Sequence, residues 1–147
     1  MKINVVCVGN LKEQYLKNAC AEYLKRLTAF ANVNVIEIKE EAHDTLSREE
    51  KAILPHLKGH VVVMAILGKE FSSPEIAQKI KTLAVSGVSE ITFVIGGSTG
   101  LSDTIIKRAD TLMSFGKITL PHQLFRVVLL EQIYRAFAIN AGSSYHK

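Results

Sequence analysis

Apolar residues along this chain come in two patterns, short unbroken runs and stretches where they return every third or fourth position. Lys2 to Val8 is a β-branched run ended by Gly9, a strand. Leu16, Cys20, Tyr23, Leu24 and Leu27 then recur at helical spacing, which predicts a helix over Glu13 to Phe30. Val33 to Ile38 supplies a second strand. Lys39 to Arg48 is polar and carries no packing signal; Ser47 with Glu50 three residues on predicts a capping box for a short helix to about Leu57, strained or ended by Pro55. Val61 to Leu67 is apolar without alternation, as a strand covered on both faces is, and is expected at the centre of the sheet. Ser73, Pro74 and Glu75 read as N-cap, first helical position and first-turn acid of a helix to about Val85, ahead of Gly87. Glu90 to Ile95 is a fourth strand, Ser102 and Asp103 cap a short helix, and Thr111 to Phe115 with Lys117 to Leu120 are the last extended segments. A helix from His122 to about Ala141 closes the pattern.

Strands alternating with helices predict an α/β fold, a mostly parallel sheet with helices on both faces. At 147 residues and 48% hydrophobic content, one domain spanning 1–147 can bury a full core unaided. The last helix is unusual, because Leu124, Phe125, Val127, Val128, Leu129, Leu130, Ile133, Tyr134, Phe137 and Ile139 occupy most of its circumference. Such a helix needs cover nearly all round, from a second subunit in a two-fold dimer or from its own chain.

Charge and cysteine content change this picture little. A net charge of +4 favours a polyanionic partner such as RNA only modestly. Cys7 lies in a strand run and Cys20 on a helical stripe, so both are expected buried and reduced, which suits the cytosol. The apolar start is too short for a signal peptide, and Val61 to Leu67 is too short to cross a bilayer, so a soluble, unprocessed protein is expected.

Candidate chemistry concentrates in the last third. Gly96-Gly97-Ser98-Thr99-Gly100 follows a strand, and Gly116 follows another; glycines there let a ligand approach bare backbone, although a Gly-Gly after a strand is also often only a tight turn. The first run is not a G-x-G-x-x-G fingerprint, since its first glycine would fall on Ile95, and no phosphate-binding lysine pattern occurs. His56 and His60 have a metal-compatible spacing, but Pro55 and Gly59 interrupt the helix and no further ligand accompanies them. No nucleophile with an attendant base stands out, so a hydrolase lacks support. Arg126 and Arg135, nine residues apart, serve opposite faces of the last helix. Glu131 can pair with Arg135 at four-residue spacing as an ordinary surface ion pair. The terminal Tyr145-His146-Lys147 either frays into solvent or meets a second, polar substrate.

The runs Val94 to Gly100, Ser114 to Gln123 and Arg126 to Phe137, with the terminal Tyr145-His146-Lys147, closely resemble the ribosomal RNA large subunit methyltransferase H family. Val8-Gly9-Asn10-Leu11-Lys12 and Glu22-Tyr23-Leu24-Lys25-Arg26 fit it as well, so the resemblance covers essentially the whole chain. It implies a SPOUT, or α/β-knot, methyltransferase: a homodimer whose C-terminal chain threads a trefoil knot and binds S-adenosyl-L-methionine in the knot loops. The implied substrate is N3 of a pseudouridine in bacterial 23S rRNA within the assembled ribosome, and the implied location is the cytoplasm.

The resemblance carries cofactor contacts to Met64, Gly96, Phe115, Gly116, Lys117, Ile118, Thr119 and Leu120, with Gly68 and Gly97 shaping the same loops. Met64-Ala65 departs from the leucine and acid common in the family, so an acidic contact at position 65 is missing. The chain is also short between Glu40 and Lys51, which weakens any RNA contact from that loop. Transfer to N3 first removes an imide proton with a pKa about two units above neutral, a cost of roughly 3 kcal/mol. By resemblance Arg135 holds phosphate or the anionic base, Tyr145 stacks or donates, and His146 accepts the proton, with the tail reaching the partner subunit's cofactor site. The competing reading is a non-catalytic ribosome-binding factor on a degenerate knot fold, which would associate with RNA without cofactor.

Overall fold

A computed structural model describes residues Met1–Lys147. Its strands are β1 (Lys2–Val8), β2 (Asn32–Ile38), β3 (His60–Glu70), β4 (Glu90–Ile95) and β5 (Thr111–Ser114), and its helices are α1 (Gln14–Leu27), α2 (Thr45–Ile53), α3 (Ser73–Val85), α4 (Asp103–Lys107) and α5 (His122–Asn140). The five strands form one sheet in the order β2-β1-β4-β3-β5, parallel at every pairing. Parallel neighbours require crossovers, and these lay helices on both faces. On one face Ile3, Val5, Val62, Ile91 and Phe93 pack against Cys20 and Leu27 of α1, Ile76 and Ile80 of α3, and Leu129, Leu130 and Ile133 of α5. On the other, Val6, Val8, Val61, Val63 and Val94 pack against Ile53 of α2 and Ile105 of α4.

Several expectations need correction. β4, not β3, is the central strand, and β3 is apolar because β4 and β5 flank it and helices cover both its faces. β3 also runs on to Glu70: its register against β5 slips, so that Met64 and Lys69 both lie opposite Met113 and residues 65–68 are displaced from the ladder. No capping box forms at Ser47, which sits inside α2; Asp44, in the left-handed region at φ 48°, is the N-cap, and Glu50 instead accepts a hydrogen bond from Ser102 Oγ at 2.6 Å. The capping box of the chain is one element later, between Ser72 and Glu75, which moves the cap of α3 one residue upstream of Ser73. The backbone N–H of Ser72 holds the Glu75 carboxyl below its ordinary pKa. Pro55 falls in a 3-10 turn over Leu54–His56 that ends α2. Lys117 to Leu120 is a loop, not a strand.

The cysteines are buried as expected. Burial pushes the Cys7 thiol up to about 11 against the opposing pull of Arg126, so it stays protonated and serves as a small hydrophobe. No helix is long and apolar enough to cross a membrane.

Candidate active site

Three loops leave the carboxyl ends of the adjacent strands β4, β3 and β5, the edge where parallel α/β sheets bind ligands. Register brings the predicted cofactor residues to one level: Val63 lies opposite Val94, and Met64 opposite Met113, so Gly96 and Phe115 both emerge within two residues of Met64's row. Met64 itself is buried in the core and presents little surface.

At β3 and β4 the chain is shaped by a close backbone approach. A Cβ on Gly68 would stand 2.7 Å from the Leu112 carbonyl oxygen, so only glycine lets the displaced part of β3 lie against β5. A Cβ on Gly96 would meet the Gly100 carbonyl at 2.9 Å, and Gly97 and Gly100 close the turn with an antiparallel bridge. The glycines after β4 are therefore required by the turn itself, and a bulky residue at Gly96 would break the loop whether or not a ligand bound there. Gly116 differs: its φ is +122° and nothing lies within 4 Å of the space a side chain would take. Ser114 Oγ pins this glycine, accepting from its N–H at 3.0 Å and donating to its carbonyl at 3.0 Å. Phe71 N–H donates to the Ser114 carbonyl at 3.2 Å, tying the end of β3 to the same turn. Phe115 stacks on Phe125 of α5 at 5.4 Å. Beyond it Lys117, Ile118 and Thr119 are exposed, as is Leu67 in the displaced part of β3; Ile118 is 80% exposed and Leu67 95%.

Arg135, Tyr145 and His146 form a second cluster on α5. The tail does not fray. Gly142, at φ 74°, turns the chain back along the helix, and Tyr145 packs edge-on against Tyr134 at 4.9 Å. Its hydroxyl donates to Glu131 Oε2 at 3.0 Å, and the Arg135 guanidinium lies 4.7 Å from its ring centroid. Arg135 donates to Glu131 through Nε and Nη2 and meets His146 Nδ1 through Nη1 at 3.1 Å. A guanidinium only donates, so this contact makes Nδ1 the acceptor and puts the imidazole proton on Nε2. Burial, with contacts to Tyr23 and Glu131, pushes the Tyr145 phenol up to about 12, and Glu131 raises Arg135 further above its ordinary value. At neutral pH the phenol therefore keeps its proton, which it gives to Glu131, and Arg135 keeps a charge that Glu131 balances.

The structure does not bring the two clusters together within one chain. Phe125, which holds the Phe115 loop, and Tyr134, which holds the tail, are nine residues apart on α5, about half a turn out of phase and roughly 13 Å along the axis. Arg126 serves neither cluster. It is buried at 3% exposure and ties α5 to the first two strands, donating to Glu37 Oε2 at 2.6 Å and to the Gly9 carbonyl at 2.9 Å. A cavity of about 640 Å³ is lined by Gly9, Asn10, Lys12 and residues 37–42 at the ends of β1 and β2, and contains none of the predicted site residues. Sequence reading missed Ser114, Phe125 and the convergence on Glu131. The glutamate's four-residue spacing to Arg135 was visible, but nothing local announced that Tyr145 would return fourteen residues later.

An all-parallel sheet with looped turns at the carboxyl ends of three neighbouring strands, capped by a long apolar helix, belongs to a known class. A model of predicted SPOUT methyltransferases matches residues 1–146. A probable methylase family protein from Haemophilus influenzae shares the fold, with a TM-score of 0.57 at 12% identity over 99% of this chain and 70% of that one. Relatives called ribosomal RNA large subunit methyltransferase H match over the full length of both chains, at 53% identity in Lactobacillus delbrueckii, 52% in Lactobacillus acidophilus and 50% in Bacillus cereus. The chain thus belongs to the ribosomal RNA large subunit methyltransferase H family of SPOUT methyltransferases.

Proposed function

We propose that this protein uses S-adenosyl-L-methionine to methylate N3 of a pseudouridine in 23S rRNA on the assembled ribosome, in the cytoplasm, as a knotted homodimer. Full-length kinship to relatives named for rRNA methylation supports the reaction class. The observation that carries the site is the separation of the two clusters across α5. A loop with exposed apolar and backbone groups sits on one side of the helix, and Arg135 with the tail on the other, so a two-fold partner is needed to juxtapose them.

The β5 loop fits the cofactor. Gly116 presents bare backbone to open space, while Ile118 and Leu67 offer exposed apolar surface to an adenosine or thioether group. Met64, Gly96 and residues 115–120 would hold it, with Met64 acting as the buried floor. When bound, the cofactor supplies an electrophilic sulfonium methyl. The chain's own residues must then lower the cost of the N3 anion. Arg135 places a guanidinium beside the base, with N–H groups that Glu131 and His146 leave free; Tyr145, its one proton given to Glu131, holds that guanidinium with its ring; and His146 presents an Nε2–H while Arg135 occupies its Nδ1. The imide proton goes to His146, which takes it at Nδ1 once that nitrogen has exchanged its contact with Arg135. The half-buried α5 residues Phe125, Val127, Val128 and Ile139 supply apolar surface for the partner.

The test is transfer of labelled methyl from S-adenosyl-L-methionine to ribosomes whose N3 site is unmodified. The proposal expects cofactor-dependent label at one pseudouridine of 23S rRNA. Ribosome association with no cofactor binding and no label would identify a non-catalytic binding factor instead.

A further inference from the structure

We infer that Glu131 is a positioning residue for methyl transfer, the single carboxylate that assembles Arg135, Tyr145 and, through Arg135, His146 into one pre-formed unit; this rests on the reaction proposed above. Glu131 receives more than an ion pair. Its oxygens accept from Arg135 Nε at 3.1 Å and Nη2 at 2.9 Å, from the Tyr145 hydroxyl at 3.0 Å and from Gln132 Nε2 at 2.8 Å. Those donors fill about the four lone-pair directions a carboxylate offers. Its side chain is 17% exposed, wedged where Tyr134 and Tyr145 meet, and desolvating a charge there is unfavourable unless every direction is filled.

An ordinary i,i+4 pair on a helix surface contributes only a few tenths of a kcal/mol and needs no third partner. Here the last turn of the chain folds back over the pair, which adds nothing to the core but fixes where three donor-bearing side chains point. Removing the charge leaves Arg135 free to sample other rotamers, frees the Tyr145 hydroxyl and breaks the contact that sets the His146 tautomer. Gln132 extends the arrangement, since its Oε1 accepts from Ser73 Oγ at 2.6 Å, where α3 begins two residues beyond the Phe71 N–H bonded to the Ser114 carbonyl. The tail is thereby referenced to the same strand ends that shape the β5 loop.

The experiment compares Glu131→Gln, Tyr145→Phe and the double variant as full-length protein, reading S-adenosyl-L-methionine affinity, methyl transfer to unmodified ribosomes and the fluorotyrosine spectrum of the four tyrosines. Glu131→Gln is expected to bind cofactor within twofold of wild type and to lose at least tenfold in kcat, with the Tyr145 resonance shifted and broadened. Because both changes release the same tail, the double variant should be much less impaired than the product of the two single losses. Tyr145→Phe deletes one hydroxyl near the surface and leaves the fold intact, so it keeps the test open if Glu131→Gln fails to fold; it should show part of the same kcat loss. Wild-type kcat in either single variant, or fully multiplicative losses in the double, overturns the inference. Inactivity of the wild-type protein itself would instead overturn the reaction proposed above.

Discussion

Removing Tyr145, His146 and Lys147 is expected to reduce methyl transfer at least a hundredfold while leaving the fold and cofactor affinity nearly unchanged. The tail adds little to the core: Tyr145 rests on Tyr134 and Glu131 at the rim of α5, and His146 touches only Arg135 among polar partners. Its loss therefore costs the folded state little. The reaction loses an imidazole and the Tyr145 packing that holds the Arg135 guanidinium, and positioned acid-base groups alone contribute about 10²–10⁴ in rate. Cofactor titration by calorimetry alongside initial rates on unmodified ribosomes separates the two effects. Wild-type rates after truncation would leave the tail with a packing role only.

Ile118→Asp is expected to weaken S-adenosyl-L-methionine binding by roughly ten- to a hundredfold without affecting stability. The side chain is 80% exposed in a loop, so charge there does not perturb the core. If a ligand covers it, the forfeited apolar burial of about 1.5–3 kcal/mol corresponds to that loss of affinity. This position is a cleaner probe than Gly96, where any side chain collides with the Gly100 carbonyl and damages the turn first. A thermal melt matching wild type, with calorimetry showing the weakened binding, is the expected pair of results. Unchanged affinity would move the cofactor pocket away from the β5 loop.

How far the sequence could be read depended on the range of the forces involved. β1 and β4 were legible to the residue, because their β-branched runs end at glycines or polar turns and nothing tertiary overrides them. The α4 cap at Ser102 was equally plain, and its hydroxyl does accept from the Ile105 N–H. The Ser47 capping box failed because a hydrogen bond between residues 52 positions apart claims Glu50. The extension of β3 past Leu67 was hidden for a similar reason, since it depends on Gly68 fitting against the backbone of a strand more than forty residues later. Of the site, the glycine turns and the α5 arginines were visible as residue types at suggestive spacings, and the half-turn offset between Arg126 and Arg135 followed from helix geometry alone. That Arg126 is a buried strut to Glu37, and that Glu131 gathers the tail, required the fold, because each joins segments that no local pattern relates.

If each reaction centre takes its β5 loop from one chain and its tail from the other, two inactive variants should repair one another. Tail-deleted and Ile118→Asp chains, unfolded together, refolded at equal concentration and assayed on unmodified ribosomes at a cofactor level that saturates only the wild-type loop, form mixed dimers with one intact loop facing one intact tail. Random pairing puts half the dimers in that state with one good site of two, so roughly a quarter of wild-type activity should return. Activity no greater than that of the two variants measured separately, in a sample shown to contain mixed dimers, would contradict a site shared between chains.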